Sequence, residues 1–194
     1  MKLKSRFAPS PSGLLHIGNA RSAVLNWTYI NNKGGEFILR IDDTDHERSK
    51  KEYEEKIKKD LKWLGICWDK SFNQSERKTI YNNCIETLKL KKKIYPCFES
   101  QEELSLKKKS QLMAGKPPIY DRSALSLTKE QIIQLEQSGK KAHWRFKLQD
   151  KTIVWNDLIK GKVSFESKNL SDPVLIREDG SLLYHLPSVV DDIE

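Results

Sequence analysis

A histidine, two glycines and a run of turn-forming residues lie close together near the start of the chain, in Arg6-Phe7-Ala8-Pro9-Ser10-Pro11-Ser12-Gly13-Leu14-Leu15-His16-Ile17-Gly18-Asn19. A short strand-forming run, Leu3 to Ala8, meets a Pro/Ser/Gly turn, and a His-x-Gly step then opens a helix. That order sets His16 and the backbone N–H groups near Gly18 at the positive end of a helix, where phosphate oxygens are well received. Gly18 lacks the Cβ that would block close approach of a ligand. An imidazole beside a glycine at such a turn suits a reaction at the α-phosphate of ATP. A His-x-Gly step alone is a weak signal, whereas Pro-Ser-Pro-Ser-Gly ahead of it at this spacing is strong.

A second group of reactive side chains is Arg40-Ile41-Asp42-Asp43-Thr44-Asp45, three carboxylates just past a buried apolar run. In an open α/β sheet the carboxyl end of a strand is where ligands sit. Asp43 and Asp45 read equally well as binding groups or as a solvated acidic loop before the next helix. Arg6 is a planar bidentate donor suited to a carboxylate, or a surface arginine at a strand start. Ser10 is a polar contact or a plain turn residue.

The elements that position these groups follow from periodicity. Ala20, Ala23, Val24, Trp27 and Ile30 recur at helical spacing, and Gly34-Gly35 stops that helix. Phe37 to Ile41 then forms a buried strand, so the opening is β-turn-α-β, the start of a nucleotide-binding α/β sheet. Ser49-Lys50-Lys51-Glu52 has the pattern of a capping box, launching a helix with Tyr53, Ile57, Leu61 and Leu64 on one face and Gly65 at its end. Ser75 is the expected N-cap of a helix reaching about Leu90, on which Cys84 packs into the core. Past Tyr95-Pro96 the character changes to loops around short helices. Thr128-Lys129-Glu130-Gln131 is another expected capping box, and short strands are expected at 143–148, 152–155, 163–166 and 174–176. Residues 1–95 are thus the first half of a catalytic sheet, 96–180 an inserted α+β module, and 181–194 a return to the first sheet.

The chain has 194 residues and a formal net charge of +8, from 35 Lys+Arg against 27 Asp+Glu. This favours an anionic partner, nucleic acid foremost, with a lysine-rich solvated surface as the alternative. The runs 91–93 and 107–109 fit either tRNA phosphates or solvated helix faces. Cys67, Cys84 and Cys97 are few and widely spaced, which points to unpaired thiols in a reducing compartment. No apolar run approaches the roughly 20 residues that span a bilayer, and no signal peptide follows Met1. The expected location is the cytoplasm, with no membrane partner.

The stretch 6–19 resembles the first signature of class I aminoacyl-tRNA synthetases, and in detail the bacterial glutamyl type, whose opening reads Arg-x-Ala-Pro-Ser-Pro-x-Gly. Asn19 stands where the generic signature has its second histidine. Arg40 to Asp45 resembles that family's Arg-Ile-Glu-Asp-Thr-Asp, with Asp42 in place of a Glu that helps hold the substrate amino group. Asp42 keeps the charge one methylene shorter. Leu183 to Asp192 resembles the family's Tyr-x-x-x-x-Val-Val-Asp-Asp segment, whose Tyr lines the amino-acid pocket; without it, Tyr184 reads as core at a strand-to-helix step. Tyr120-Asp121-Arg122 and His143 to Lys147 resemble pieces of the acceptor-stem-binding insertion.

The resemblance implies an α/β fold, the first half of a class I Rossmann-type sheet with an inserted acceptor-binding module. It implies ATP-dependent activation of L-glutamate to glutamyl-adenylate and transfer to the 3′ end of tRNA(Glu). His16 is then the catalytic residue. Pro9, Ser10, Pro11, His16, Gly18 and Asn19 bind ATP, and Arg6, Ala8, Ser10, Asp42, Tyr184 and Ser188 bind glutamate. Mg²⁺ accompanies the nucleotide, the enzyme is a monomer, and no zinc is expected. Some relatives carry a zinc site in the insertion, but Cys97 is the region's only cysteine and four ligands are not available. The second signature, Lys-x-Ser-Lys, is not found, so the chain reads as the N-terminal part of a longer enzyme and inactive alone. Rival readings are the truncated paralogue that glutamylates queuosine in tRNA(Asp) and a non-catalytic tRNA-binding fragment. A small-molecule nucleotidyltransferase is more distant still, since it needs neither the insertion nor the Tyr184 segment.

Overall fold

The computed structural model describes residues 2–45 and 47–194, and divides them into two compact units, 1–82 and 83–194. The first unit opens with β1 (Lys4–Phe7), α1 (Ile17–Asn32), β2 (Glu36–Ile41), α2 (Lys51–Trp63) and β3 (Lys70–Asn73), and closes on a 3₁₀ turn, Gln74–Arg77. All three strands are parallel in the order β1-β2-β3, Arg6 pairing with Ile38 and Arg40 with Phe72. Parallel strands need crossovers, and α1 and α2 supply them. Their apolar stripes meet the sheet in one cluster that contains Phe7, Ala23, Ile30, Leu39, Ile57 and Leu61. Gly34, at φ +61°, makes the left-handed turn that releases the chain from α1 into β2. This is the α/β sheet expected from the opening residues.

Two expected caps differ. The residue before α2 is Lys50, which makes no side-chain cap bond, and the Ser49 hydroxyl is buried. Ser75 does not cap a helix either. Its N–H and its hydroxyl both donate to Asp43, at 2.8 and 2.7 Å, and α3 (Lys78–Leu90) starts beyond it. The capping pattern is local, whereas a part-buried carboxylate from another loop competes for the same serine with a charge-assisted bond.

In the second unit β4 (Ile94–Cys97), β5 (His143–Phe146) and β8 (Val174–Ile176) form an antiparallel sheet in the order β4-β5-β8. A separate hairpin joins β6 (Thr152–Asp157) to β7 (Gly161–Glu166), with Trp155 and Phe165 stacked at 5.4 Å. Capping boxes start α4 (Gln101–Met113), through Ser100 and Glu103, and α5 (Lys129–Gln137), through Thr128 and Gln131 as expected. The final helix, α6 (His185–Ile193), brings Leu186 and Val190 into a cluster with Cys84, Ile85, Ile94, Leu175 and Ile176. The sequence division at 95/96 and 180/181 follows the change of character past Tyr95-Pro96; compactness divides the chain at 82/83, and β4 pairs with β5 within the second unit. Among the described residues no helix is long and apolar enough to cross a membrane.

Candidate active site

Within the first unit, β1 delivers Arg6 and, just past its end, Ala8. The chain then turns through Pro9, Ser10 and Pro11, of which both prolines are buried and Ser10 is exposed. Proline has no N–H to donate, but its carbonyl still accepts. The Pro9 carbonyl takes the Asp42 N–H at 3.0 Å, and the Pro11 carbonyl takes the Lys50 N–H at 3.0 Å. The turn before His16 is thereby fastened to both ends of the acidic loop.

His16 is the N-cap of α1, and its Nδ1 accepts the Gly18 N–H at 3.2 Å. With Nδ1 so engaged, the proton of a neutral ring sits on Nε2, which is available as a donor. A Cβ on Gly18 would lie 3.1 Å from His16 Cε1 and 3.2 Å from Nδ1. The glycine therefore makes room for the histidine ring itself, a closer role than the ligand clearance expected from sequence. His16, Gly18 and Asn19 are all exposed at this helix end, where the helix field favours an anion.

The three carboxylates have separate fates. Asp43 accepts from Ser75 N–H and Oγ and, at 3.1 Å, from Asn73 Nδ2, tying the end of β2 to the end of β3. Asp45 pairs with Arg48 at 2.6 Å, a bond that holds its carboxyl below the usual range. Asp42 is gripped by Arg40 through two bonds, Nε to Oδ1 at 2.7 Å and Nη2 to Oδ2 at 3.2 Å. Of the two readings open for Asp43 and Asp45, these bonds are those of structural carboxylates.

Tyr184 and Ser188 belong to the second unit. Tyr184 is 64% exposed, not core, and its ring lies 4.7 Å from that of His185. Ser188 is buried on α6, one helical turn on, its N–H donating to the Tyr184 carbonyl.

The second unit also holds a polar core that sequence reasoning missed. Asp172 is buried and accepts Tyr95 OH at 2.6 Å, Arg122 Nη2 at 2.8 Å and the Leu148 N–H at 3.0 Å. Burial, followed by this bond to Asp172, pushes the Tyr95 hydroxyl far above its ordinary value. Spacing left Cys97 without partners, but the β4/β5 register sets it opposite His143. With Glu99, three donor atoms lie within 4.8 Å of one another. Tyr120 OH reaches Glu99 at 2.7 Å and Cys97 Sγ at 3.6 Å, while the Arg145 guanidinium covers the Tyr120 ring at 4.1 Å. Burial pushes the Cys97 thiol up to about 11. Burial, and then the nearby Arg145 charge, hold His143 below its usual value. The Glu99 Oε2 and His143 Nε2 atoms are buried without a hydrogen-bond partner.

A family model described as tRNA synthetases class I (E and Q), catalytic domain, matches residues 2–194. The chain belongs to that family. Among curated relatives of this class I synthetase domain, a glutamate–tRNA ligase 1 of Maricaulis maris is 54% identical over 191 residues, covering 98% of this chain and 43% of that protein. A glutamate–tRNA ligase 1 of Rickettsia bellii is 52% identical over 193 residues, covering 100% and 43%. The crystal structure of a glutamate tRNA ligase from Elizabethkingia meningosepticum in complex with its amino acid superposes with a TM-score of 0.89 at 34% identity. It covers 100% of this chain and 42% of that one. The class I domain described here thus spans less than half the length of the relatives it matches.

Proposed function

We propose that the chain is the N-terminal catalytic part of a glutamate–tRNA ligase. The observation that carries this reading is the His16–Gly18 contact at the start of α1. It aims one imidazole N–H outward at an anion-favouring helix end, in a chain that matches the class I synthetase domain over residues 2–194. In the reaction, the α-carboxylate of glutamate attacks the α-phosphorus of ATP, forming the acyl-phosphate bond as the bond to pyrophosphate breaks. The adenylate then passes its acyl group to the 3′-terminal ribose hydroxyl of tRNA(Glu). His16 Nε2–H donates to phosphate oxygen as charge develops there. Pro9, Ser10, Pro11, Gly18 and Asn19 form the remaining nucleotide contacts. Arg6 engages the side-chain carboxylate of glutamate, and Asp42 accepts from its ammonium group; Ala8, Ser10, Tyr184 and Ser188 are the further glutamate-binding residues of this reading. Residues 1–95 and 181–194 then belong to the catalytic sheet and 96–180 to the acceptor-stem module.

Mg²⁺ comes with the nucleotide, held by phosphate oxygens as is usual for that ion. The Cys97 cluster functions without zinc in this reading. It supplies three donors where a structural zinc takes four, and the Arg145 cation lies over the adjoining Tyr120 ring. The enzyme acts in the cytoplasm as a monomer.

ATP–pyrophosphate exchange by the full-length protein, with glutamate and tRNA present, tests the assignment. His16→Ala lowers turnover by about 10²–10³, the loss seen when one preorganised donor to developing charge is removed, with little change in glutamate KM. Unchanged turnover removes His16 from the chemistry, and absence of glutamate-dependent exchange in the unmodified enzyme overturns the function.

A further inference from the structure

We propose that Arg40 is a positioning residue for substrate selection, acting through Asp42 to fix the acceptor for the α-ammonium group. This rests on the reading of Asp42 as that acceptor. Arg40 lies on β2 between Leu39 and Ile41, with its side chain 1% exposed, whereas that of Asp42 is 17% exposed. Residues two apart on an extended strand share a face of the sheet. The guanidinium thus stands directly behind the carboxylate, sealed from solvent. It meets the carboxylate in a fork, Nε on Oδ1 at 2.7 Å and Nη2 on Oδ2 at 3.2 Å. A fork sets the plane of the carboxylate as well as its place, which a lysine point charge does not. A carboxylate offers about four acceptor positions, and the Asp42 side chain is 17% exposed. The Asp42 backbone is fixed independently by its N–H bond to the Pro9 carbonyl.

That arrangement matters because aspartate has a short stem. A carboxylate with one methylene cannot follow a mobile ammonium group, so a fixed acceptor must already lie where the ammonium arrives. The bland alternative is a buried ion pair that only stabilises the end of β2. The two roles separate with a substrate analogue, because glutarate is glutamate without its amino group and has nothing to offer Asp42.

The test compares Arg40→Lys with the unmodified full-length enzyme in ATP–pyrophosphate exchange, and measures inhibition by glutarate in both. Glutamate KM rises by about 10–100-fold, the range that outer partners of ligating groups carry in metal sites. The KM for ATP and the Ki for glutarate each stay within about twofold, since neither depends on the ammonium acceptor. On an Asp42→Asn background, Arg40→Lys adds little, because its effect passes through the carboxylate already lost. A parallel rise in glutamate KM, ATP KM and glutarate Ki overturns the proposal and leaves a structural ion pair. Full multiplicative effects in the double variant also overturn it. If Asp42→Asn alone leaves glutamate KM unchanged, the ammonium assignment itself fails and the proposal falls with it. Should Arg40→Lys not fold, Arg40→Gln, with a planar donor, is read by the same three constants.

Discussion

The first unit builds its candidate site from residues adjacent in the chain, while the second builds its polar core from residues far apart. His16 is positioned by Gly18, two residues on, and Asp42 by Arg40, two residues back. Asp172, in contrast, collects Tyr95, Arg122 and Leu148 from three separate segments, and Cys97 meets His143 only across a strand pair. Local devices aim a side chain, and the main cluster of the first unit is apolar, with Arg40 and Gln74 as the unit's buried polar residues. The distributed network holds the second unit together, and its members are buried polar groups that cost heavily when left unpaired. Mutations at the exposed His16–Gly18 step should therefore change chemistry with little change in stability, and mutations in the Asp172 network the reverse.

The largest test of that contrast is Asp172→Ala. Removing one partner from a buried charged network costs about 3–5 kcal/mol, here also stranding Tyr95 OH and the Leu148 N–H. Amide hydrogen exchange should show protection lost in residues 83–194 and retained in the β1-β2-β3 sheet. Equal loss in both units breaks the comparison.

A smaller effect is expected from alkaline pH. The Cys97 thiol is raised from about 9 in an unfolded chain to about 11 by burial. A raised folded value means that the folded state favours the protonated thiol. Its contribution is complete below pH 9 and is lost as pH rises through 11, on the order of 2–3 kcal/mol at the limit. Tyr95 and Tyr120 are shifted in the same direction. His143 is shifted down, so its contribution is present above its ordinary value and declines on acidification below it. Thermal melts from pH 8 to 11 should show the second unit weakening, and Cys97→Ala should flatten that slope. Elemental analysis of chelator-free protein should find no stoichiometric zinc, because Cys97, Glu99 and His143 supply three donors where a structural zinc takes four; one zinc per chain reverses that part of the reading.

The smallest effect separates chemistry from stability most cleanly. Gly18→Ala adds a Cβ at the 3.1 Å contact with the His16 ring, which must give way by a few tenths of an ångström. Alanine is the better helix former by up to about 1 kcal/mol, so melting temperature should hold or rise. Turnover should fall by about tenfold, less than for His16→Ala, because the imidazole is displaced rather than removed. Loss of stability with unchanged turnover would reverse the assignment.

The same contrast explains what the sequence revealed. β1, α1 and β2 were legible because an apolar stripe and a Pro/Ser/Gly turn are local patterns, and so was the Thr128 capping box. Ser75 and Ser49 have the chemistry of caps, but Ser75 is drawn to Asp43, a partner no local window contains. Tyr184, taken as core without its family context, is exposed at the N-cap of α6, whose Leu186, Pro187 and Ser188 are buried. Asp172 carried no signal at all: an isolated aspartate before a proline reads as a turn residue. His143 was likewise unreadable as a neighbour of Cys97, since strand register lies outside any motif.

The paired carbonyl bonds of Pro9 and Pro11 have one further consequence. Two fixed rungs, to Asp42 and to Lys50, act like a ruler laid across two loops at once. A residue inserted between Pro9 and Pro11, or deleted between Asp42 and Lys50, leaves no spacing that satisfies both. These loops should therefore tolerate exchange of side chains far better than any change of length, so that homologous chains could drift in spelling here while keeping the same count.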